Sequence, residues 1–437
     1  MSRFQFKQSP FRLIFLLYTV FILLFTVIYA LPTMHHGSIS FVDLLFLSTS
    51  AMSVTGLSTI SVVHDLTKVG QVVLFFQIQF GGIGIMAFLG SMMLIFRRKV
   101  SLPYQTLMSF DQNQRNLKSV GKLMLFIVGF MVCAETIGFL CFLPLVAPHY
   151  DHFRDALFPA LFHAGASFTN AGFDLFGGSL VSFSHQPLFL FLTSVLIFLG
   201  VMGFPVVMEL LTKGKRKLSL YTKVNLTVHM ILIMIGFVVF LCVDLWHVRG
   251  DYSVTERITN SLFFSITSRN AGMTTLDLNL LSFPSLLIMM SLMFIGGAPS
   301  SCGGGIRTTT FAVVIMKIWS IIRGKSDVQM AKKSLYEEDV NKALLVFFSF
   351  AGLFLFSLFS LSIIEGSHIR QLAFEIMSAL STTGLSLGGT ASLTTFSKIW
   401  LCVLMVVGRL GIVVLIYSFV DTKPSSVKYA KESMIVG

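Results

Sequence analysis

Eight apolar runs, at about residues 11–31, 69–96, 121–147, 187–211, 225–245, 282–321, 342–364 and 397–420, dominate the chain. Each reaches the roughly 20 residues that a helix needs to cross the hydrocarbon core of a bilayer. Runs of that length leave few ways to fold. Inside lipid every backbone N–H and C=O must find its partner within the protein, so only helices and closed barrels span. These runs are continuous and do not alternate every second residue, which selects helices. Charged residues make up only 12% of the chain, against about 25% in soluble domains, and the mean hydropathy is +0.83. The first run follows a basic start and lacks a small-residue cleavage site, so it is expected to stay as a first helix.

The runs form four pairs, and each pair encloses a shorter, semi-polar stretch: 41–60, 155–176, 256–275 and 370–389. Their length suits segments that enter the membrane and return. Basic residues set the orientation. They gather at 97–99, at 213–217, at Arg323, Lys325, Lys332 and Lys333, and at both ends (Arg3, Lys7, Arg12; Lys423, Lys428, Lys431). By the positive-inside rule these links and both termini lie in the cytoplasm, and the semi-polar stretches enter from outside. The net charge of +12 is therefore a topological bias, with no nucleic acid as partner. Asp43, Asp65, Asp151, Asp155, Asp174, Asp251, Glu256 and Asp277 fall on the outer side. They are either attractors of cations or ordinary solvated loop residues. The five cysteines form no CxxC pair, so neither a disulfide framework nor a zinc site is expected.

The four stretches align on one glycine: "SVTGL" at Gly56, "TNAGF" at Gly172, "RNAGM" at Gly272 and "STTGL" at Gly384, spaced 116, 100 and 112 residues apart. Every unit has the same orientation, which makes this a parallel repeat about an axis normal to the membrane. A short helix entering from outside points its negative end at the membrane centre. Beyond it, glycine lets successive carbonyls turn inward and lets four chains approach one ion. The expected filter consists of Val54, Thr55 and Gly56; Asn170, Ala171 and Gly172; Asn270, Ala271 and Gly272; and Thr382, Thr383 and Gly384. Asn170 and Asn270, with Ser53, Thr169 and Thr382, are expected to hold the surrounding loops. A plain helix C-cap explains one such glycine; four in register point to a shared centre.

Two features break the apolar text. In "FIGGAPSSCGGGIRTTTF" (294–311) a proline and five glycines make a continuous sixth helix improbable over 296–305. The residues Gly296, Gly297, Ala298, Pro299, Ser300, Ser301, Cys302, Gly303, Gly304 and Gly305 are expected to form a loop that either obstructs a pore or is a static kink. Arg409 lies in the eighth run, where insertion costs about 2.5–3.5 kcal/mol, so it should face carbonyls of that loop and not lipid. Glu135 is expected to be a structural hydrogen-bond partner, with Glu209 a lesser case. Close helix packing accounts for "FGGIGIM" (80–86) and "GVMGFP" (200–205).

On these residues the chain resembles the Trk/Ktr/HKT superfamily of potassium transporters over about residues 11–421, and its eight-span length is similar to that of the KtrB membrane subunit. The resemblance implies four M1–pore helix–M2 repeats, divided at 1–100, 101–217, 218–325 and 326–437, in the cell membrane of a bacterium. It implies potassium held by carbonyls at Gly56, Gly172, Gly272 and Gly384, an intramembrane gate at 296–305, and a basic residue at Arg409 that restrains flux. A serine at the first filter position marks sodium-passing plant relatives, and Gly56 stands there. It further implies a homodimer docked on a cytoplasmic nucleotide-binding ring of the KtrA (RCK) type, with Na+ dependence acting through that ring. No nucleotide loop or catalytic triad is visible, so no enzyme activity and no organic cofactor are expected. The alternatives are a sodium-permeable member of this fold and a secondary transporter with an occluded mid-membrane site.

Overall fold

The computed structural model describes residues 10–95, 117–213, 218–245, 252–325, 327–331, 333–366, 369–419 and 434. The basic links at 97–99 and 214–217, Lys332, the terminal residues Arg3, Lys7, Lys423, Lys428 and Lys431, and Asp251 lie outside these.

The same order of elements occurs four times. The first unit has α1 (Pro10–Tyr29), α2 (Phe41–Ser53), α3 (Lys68–Ile83) and α4 (Ile85–Ile95). The second has α5 (Leu117–Val146), α6 (Phe153–Thr169), α7 (Pro187–Val201) and α8 (Phe204–Lys213). The third has α9 (Leu220–Val239), which runs on as a π turn, then α10 (Val254–Thr267), α11 (Phe283–Phe294) and α12 (Thr308–Ile322). The fourth has α13 (Glu337–Glu365), α14 (Ile369–Ser381), α15 (Thr395–Leu410) and α16 (Ile412–Phe419). A small hairpin, β1 (Gln329–Met330) with β2 (Lys333–Ser334), precedes the fourth unit. It holds the only strands among the described residues, and two-residue strands are too short to leave a periodic signal.

The opening helices face outward. Phe348, Phe356 and Phe359 on α13 are all exposed, as a lipid-facing surface requires. The short helices α2, α6, α10 and α14 are enclosed in protein over their C-terminal halves. Two of their entry points are capped by side chains: the Ser40 hydroxyl accepts from Asp43 N, and Ser253 forms a capping box with Glu256. Deeper in, hydroxyls tie them to the long helices, with Ser48 Oγ donating to Ile22 O and Ser265 Oγ to Ile233 O.

The eight apolar runs are not eight continuous helices. Among the described residues, four helices are long and apolar enough to cross a membrane singly, and two more candidates are pairs bent by 98° (α7 with α8) and 100° (α15 with α16). Close packing does hold at Gly81, where a methyl would stand 2.4 Å from Met52 O, and at Gly200, where it would stand 2.0 Å from Phe168 O. That reading misses the breaks in the same runs. The second helix of each unit is interrupted at Gly84, at Gly203, over 295–307, and at Gly411. The three glycines have φ of +89°, +90° and +87°, a conformation that side chains resist and that ends the i to i−4 ladder.

Candidate functional site

Each short helix ends where the chain turns toward a common centre. In the first unit Val54 is left-handed (φ +57°) and Thr55 N donates back to Ser50 O at 2.8 Å, a Schellman-type ending. Asn170 (φ +60°) with Ala171, and Thr382 (φ +53°) with Thr383, repeat it. The third unit departs: Asn270 has φ +139°, and Ala271 N donates to Thr267 O at 3.0 Å. Serine hydroxyls six residues back accept from the glycine amides, Gly56 N to Ser50 Oγ and Gly384 N to Ser378 Oγ, both at 3.0 Å.

Gly56, Gly172, Gly272 and Gly384 have φ of +93°, +71°, +70° and +92° and meet in a ring. A methyl on Gly56 would stand 2.6 Å from Gly172 Cα, and one on Gly384 would stand 3.1 Å from Gly56 Cα. On Gly272 it would stand 3.0 Å from Gly384 Cα and 3.2 Å from Gly172 Cα. Only glycine permits this approach. The peptide oxygens of Thr55, Ala171, Ala271 and Thr383 crowd the same centre, within 2.0–3.2 Å of those methyl positions. All four residues are fully buried. Among the described residues no hydrogen-bond donor reaches any of these oxygens. Asn170 Oδ1, Asn270 Oδ1 and Thr382 Oγ1, each two residues before a glycine, are also buried without a partner. The side-chain amides do tie the loops: Asn270 Nδ2 donates to Ser381 O at 2.8 Å, and Asn170 Nδ2 to Phe168 O at 3.2 Å.

The 296–305 loop lies against this ring. An Ile295–Ile306 bridge closes its base, with Gly296 N donating to Ile306 O at 2.9 Å. Ala298 N and Cys302 N donate to Val201 O and Gly200 O of the second unit. Phe204 N donates to Ser300 O, and Gly305 N to Gly408 O of the fourth unit. Gly304 packs on Thr382, and Gly303 on Asn270. Arg409 donates to Cys302 O of the loop and also to Gly81 O and Gly82 O (2.8 Å to Gly82). The loop thus contacts three units directly and, through Arg409, the first. Four of its ties come from three residues that the sequence reading did not single out. Tyr221 Oη donates to Pro299 O at 2.6 Å, Arg307 donates to Ala298 O and Gly303 O, and Arg269 Nη2 donates to Gly296 O at 2.7 Å. A signal for Arg269 was present: it is an arginine where the other units have Ser53, Thr169 and Ser381.

The remaining acids have local work. Glu135 Oε2 accepts from Gln79 Nε2 at 3.1 Å, and Glu209 accepts from Ser219 N and Oγ and Thr222 Oγ1 at the start of α9. Asp43 pairs with Lys398 at 2.9 Å, Asp65 accepts from Ser61 N, Asp174 from Phe176 N and Gly177 N, and Asp277 from Asn279. The Ser253 N–H, then its hydroxyl and His185, hold the half-buried Glu256 carboxyl below its ordinary range. These bonds favour the loop-residue reading for those acids.

A family model described as the TrkH cation transport protein matches residues 4–429. The chain is 33% identical to Ktr system potassium uptake protein D of Bacillus subtilis, over 98% of this chain and 97% of that one. It is 32% identical to the potassium/sodium uptake protein NtpJ of Enterococcus hirae, over 100% and 99%. It is also 32% identical to Ktr system potassium uptake protein B of Vibrio alginolyticus, over 98% and 94%. The crystal structure of the potassium transporter TrkH from Vibrio parahaemolyticus superposes with a TM-score of 0.75 at 17% identity, covering 96% of this chain and 87% of that one, and so shares the fold. With a family model matched from end to end and Ktr relatives alike over their full lengths, the chain belongs to the TrkH cation transport family, as a KtrB-like member of the Trk/Ktr superfamily.

Proposed function

We propose that the chain forms a potassium-uptake pore in a bacterial cell membrane, with both termini cytoplasmic. One observation carries the reading: four buried peptide oxygens without donors surround four left-handed glycines. Unpaired buried carbonyls are costly, and a dehydrated monovalent cation satisfies them. The relatives' names and the glycine at position 56 favour potassium. In this reading the four units are M1–pore helix–M2 repeats over 1–100, 101–217, 218–325 and 326–437. The filter is the three residues ending at each glycine. The 296–305 loop is the gate beneath it, and Arg409 holds that gate and keeps a positive charge in the path. Transport is passive, each charge gaining about 2.3 kcal/mol per 100 mV of membrane potential. Docking of a nucleotide-binding KtrA-type ring on a homodimer releases the gate, with Na+ acting through that ring.

A second reading, in which sodium passes as well, is favoured by the potassium/sodium label of the Enterococcus hirae relative. Uptake in a host strain lacking its own potassium systems, with and without a co-expressed regulator, tests both. Growth at low potassium that needs this chain supports the pore. Growth unaffected by the chain refutes it, and equal sodium and potassium uptake selects the second reading.

A further inference from the structure

We propose that Arg269 couples the glycine ring to the 296–305 loop, so that the loop cannot leave its seat without disturbing the filter; this rests on reading that loop as the gate. The four units allow a direct comparison at the position three residues before each glycine. Ser53 Oγ donates to Thr49 O, Thr169 Oγ1 to Gly165 O and Ser381 Oγ to Met377 O, at 2.7, 2.7 and 2.5 Å. Each hydroxyl thus folds back on its own short helix, and those of Ser53 and Ser381 also bond to Thr55 Oγ1 and Thr383 Oγ1, at 2.6 and 2.8 Å, so all of these bonds stay within one unit. The unit whose second helix is interrupted by a long loop has an arginine instead. That side chain reaches outward, with Nη2 to Gly296 O at 2.7 Å and Nη1 to His229 Nδ1 at 2.6 Å.

Arg269 is 1% exposed, and among the described residues no carboxylate pairs with it. A buried cation without a counter-ion is costly, and such residues in membrane proteins mark function. Here the charge beside a cation filter also opposes the ion, so local electrostatics do not account for it. What it does do is hold the first residue of the loop. The next residue completes the link. Asn270 Nδ2 donates to Ser381 O in the fourth unit, while methyls on Gly296 and Gly303 would stand 3.1 and 2.8 Å from Asn270 Oδ1. Arg269 therefore bonds the first residue of the loop, Asn270 packs against Gly296 and Gly303, and the two continue directly into Ala271 and Gly272 of the ring. If the loop swings out, either the Gly296 bond breaks or Arg269 moves and drags the third filter strand. The coupling is reciprocal, so ion occupancy of the ring also biases the loop.

The test uses the full chain in lipid vesicles without regulator, reading rubidium flux per folded protein and the potassium-to-sodium ratio. Arg269→Gln is expected to raise flux about tenfold, the loss of one charged hydrogen bond, and to lower the ratio. Arg269→Lys should restore part of both. Arg409→Ala, which touches no ring residue, should raise flux with the ratio kept. Flux raised by Arg269→Gln at an unaltered ratio, or neither quantity moved, overturns the coupling. If Arg269→Gln does not fold, His229→Leu carries the test. It removes the Nη1 acceptor and should move both readouts the same way, and no movement overturns the proposal. A variant with the loop shortened by residues 300–303 separates the two layers. Unaltered flux there sinks the gate reading and the coupling with it. Raised flux there, with Arg269→Gln inert, sinks the coupling alone.

Discussion

Replacing Gly56 by serine is the sharpest perturbation of the ring. The position has φ +93°, and its new Cβ would stand 2.6 Å from Gly172 Cα and 2.7 Å from Ala171 O. Left-handed backbone costs a side chain about 1–2 kcal/mol. Forcing an atom against backbone that has no rotamer to escape into costs about 1–3 kcal/mol more. The two parts can be separated. Gly388 has φ +87° with nothing within 4 Å of the added methyl, so Gly388→Ser carries only the conformational cost. The difference between the variants is the contact within the ring, about 1–3 kcal/mol. At 1.4 kcal/mol per decade that becomes a loss of about five- to hundredfold in the potassium-to-sodium uptake ratio. The assay is paired rubidium and sodium uptake into vesicles at matched amounts of folded protein. A Gly56→Ser protein with the ratio of Gly388→Ser and of the unsubstituted chain refutes the reasoning.

Other substitutions probe the supports. Arg409→Ala removes a donor shared by three carbonyls of two elements and should raise regulator-free flux by about tenfold or more; loss of folding without flux would make the residue structural. Ser50→Ala with Ser378→Ala removes both glycine-amide acceptors. At about 0.5–1.5 kcal/mol each, the pair should lower the potassium-to-sodium ratio severalfold, and the amides left without acceptors should lower the melting temperature as well. Glu209→Ala leaves Ser219 N and Thr222 Oγ1 without their acceptor. It should cost about 1–3 kcal/mol of stability, read as a lower melting temperature in detergent, with the uptake ratio kept.

The glycine ring was legible because two independent demands fall on one residue type. Positive φ and close backbone approach both select glycine, and the fourfold spacing removes the ambiguity of any single one. The 296–305 break was legible because proline and clustered glycines interrupt an apolar run. Gly84, Gly203 and Gly411 were not, since a single glycine in an apolar helix reads equally as a packing contact, and Gly81 and Gly200 beside them are such contacts. Choosing between the two requires φ, which spacing does not carry. Arg269 was hidden inside a motif read for its glycine. Tyr221 and Arg307 act on the loop from positions that have no repeat partner to compare. The hairpin at 329–334 is polar and too short to show a period. Of the outer acids, capping by Ser253 and Ser40 follows from local spacing, whereas the pairing of Asp43 with Lys398 spans 355 residues and needs the fold.

The central claim is that the peptide oxygens of residues 55, 171, 271 and 383 hold a monovalent cation. Anomalous diffraction from crystals grown in rubidium or thallium measures this directly. A peak at the centre of the four glycines, within coordinating distance of those oxygens and lost in Gly56→Ser, is the predicted result. An empty ring, with the anomalous signal elsewhere in the molecule, would contradict it.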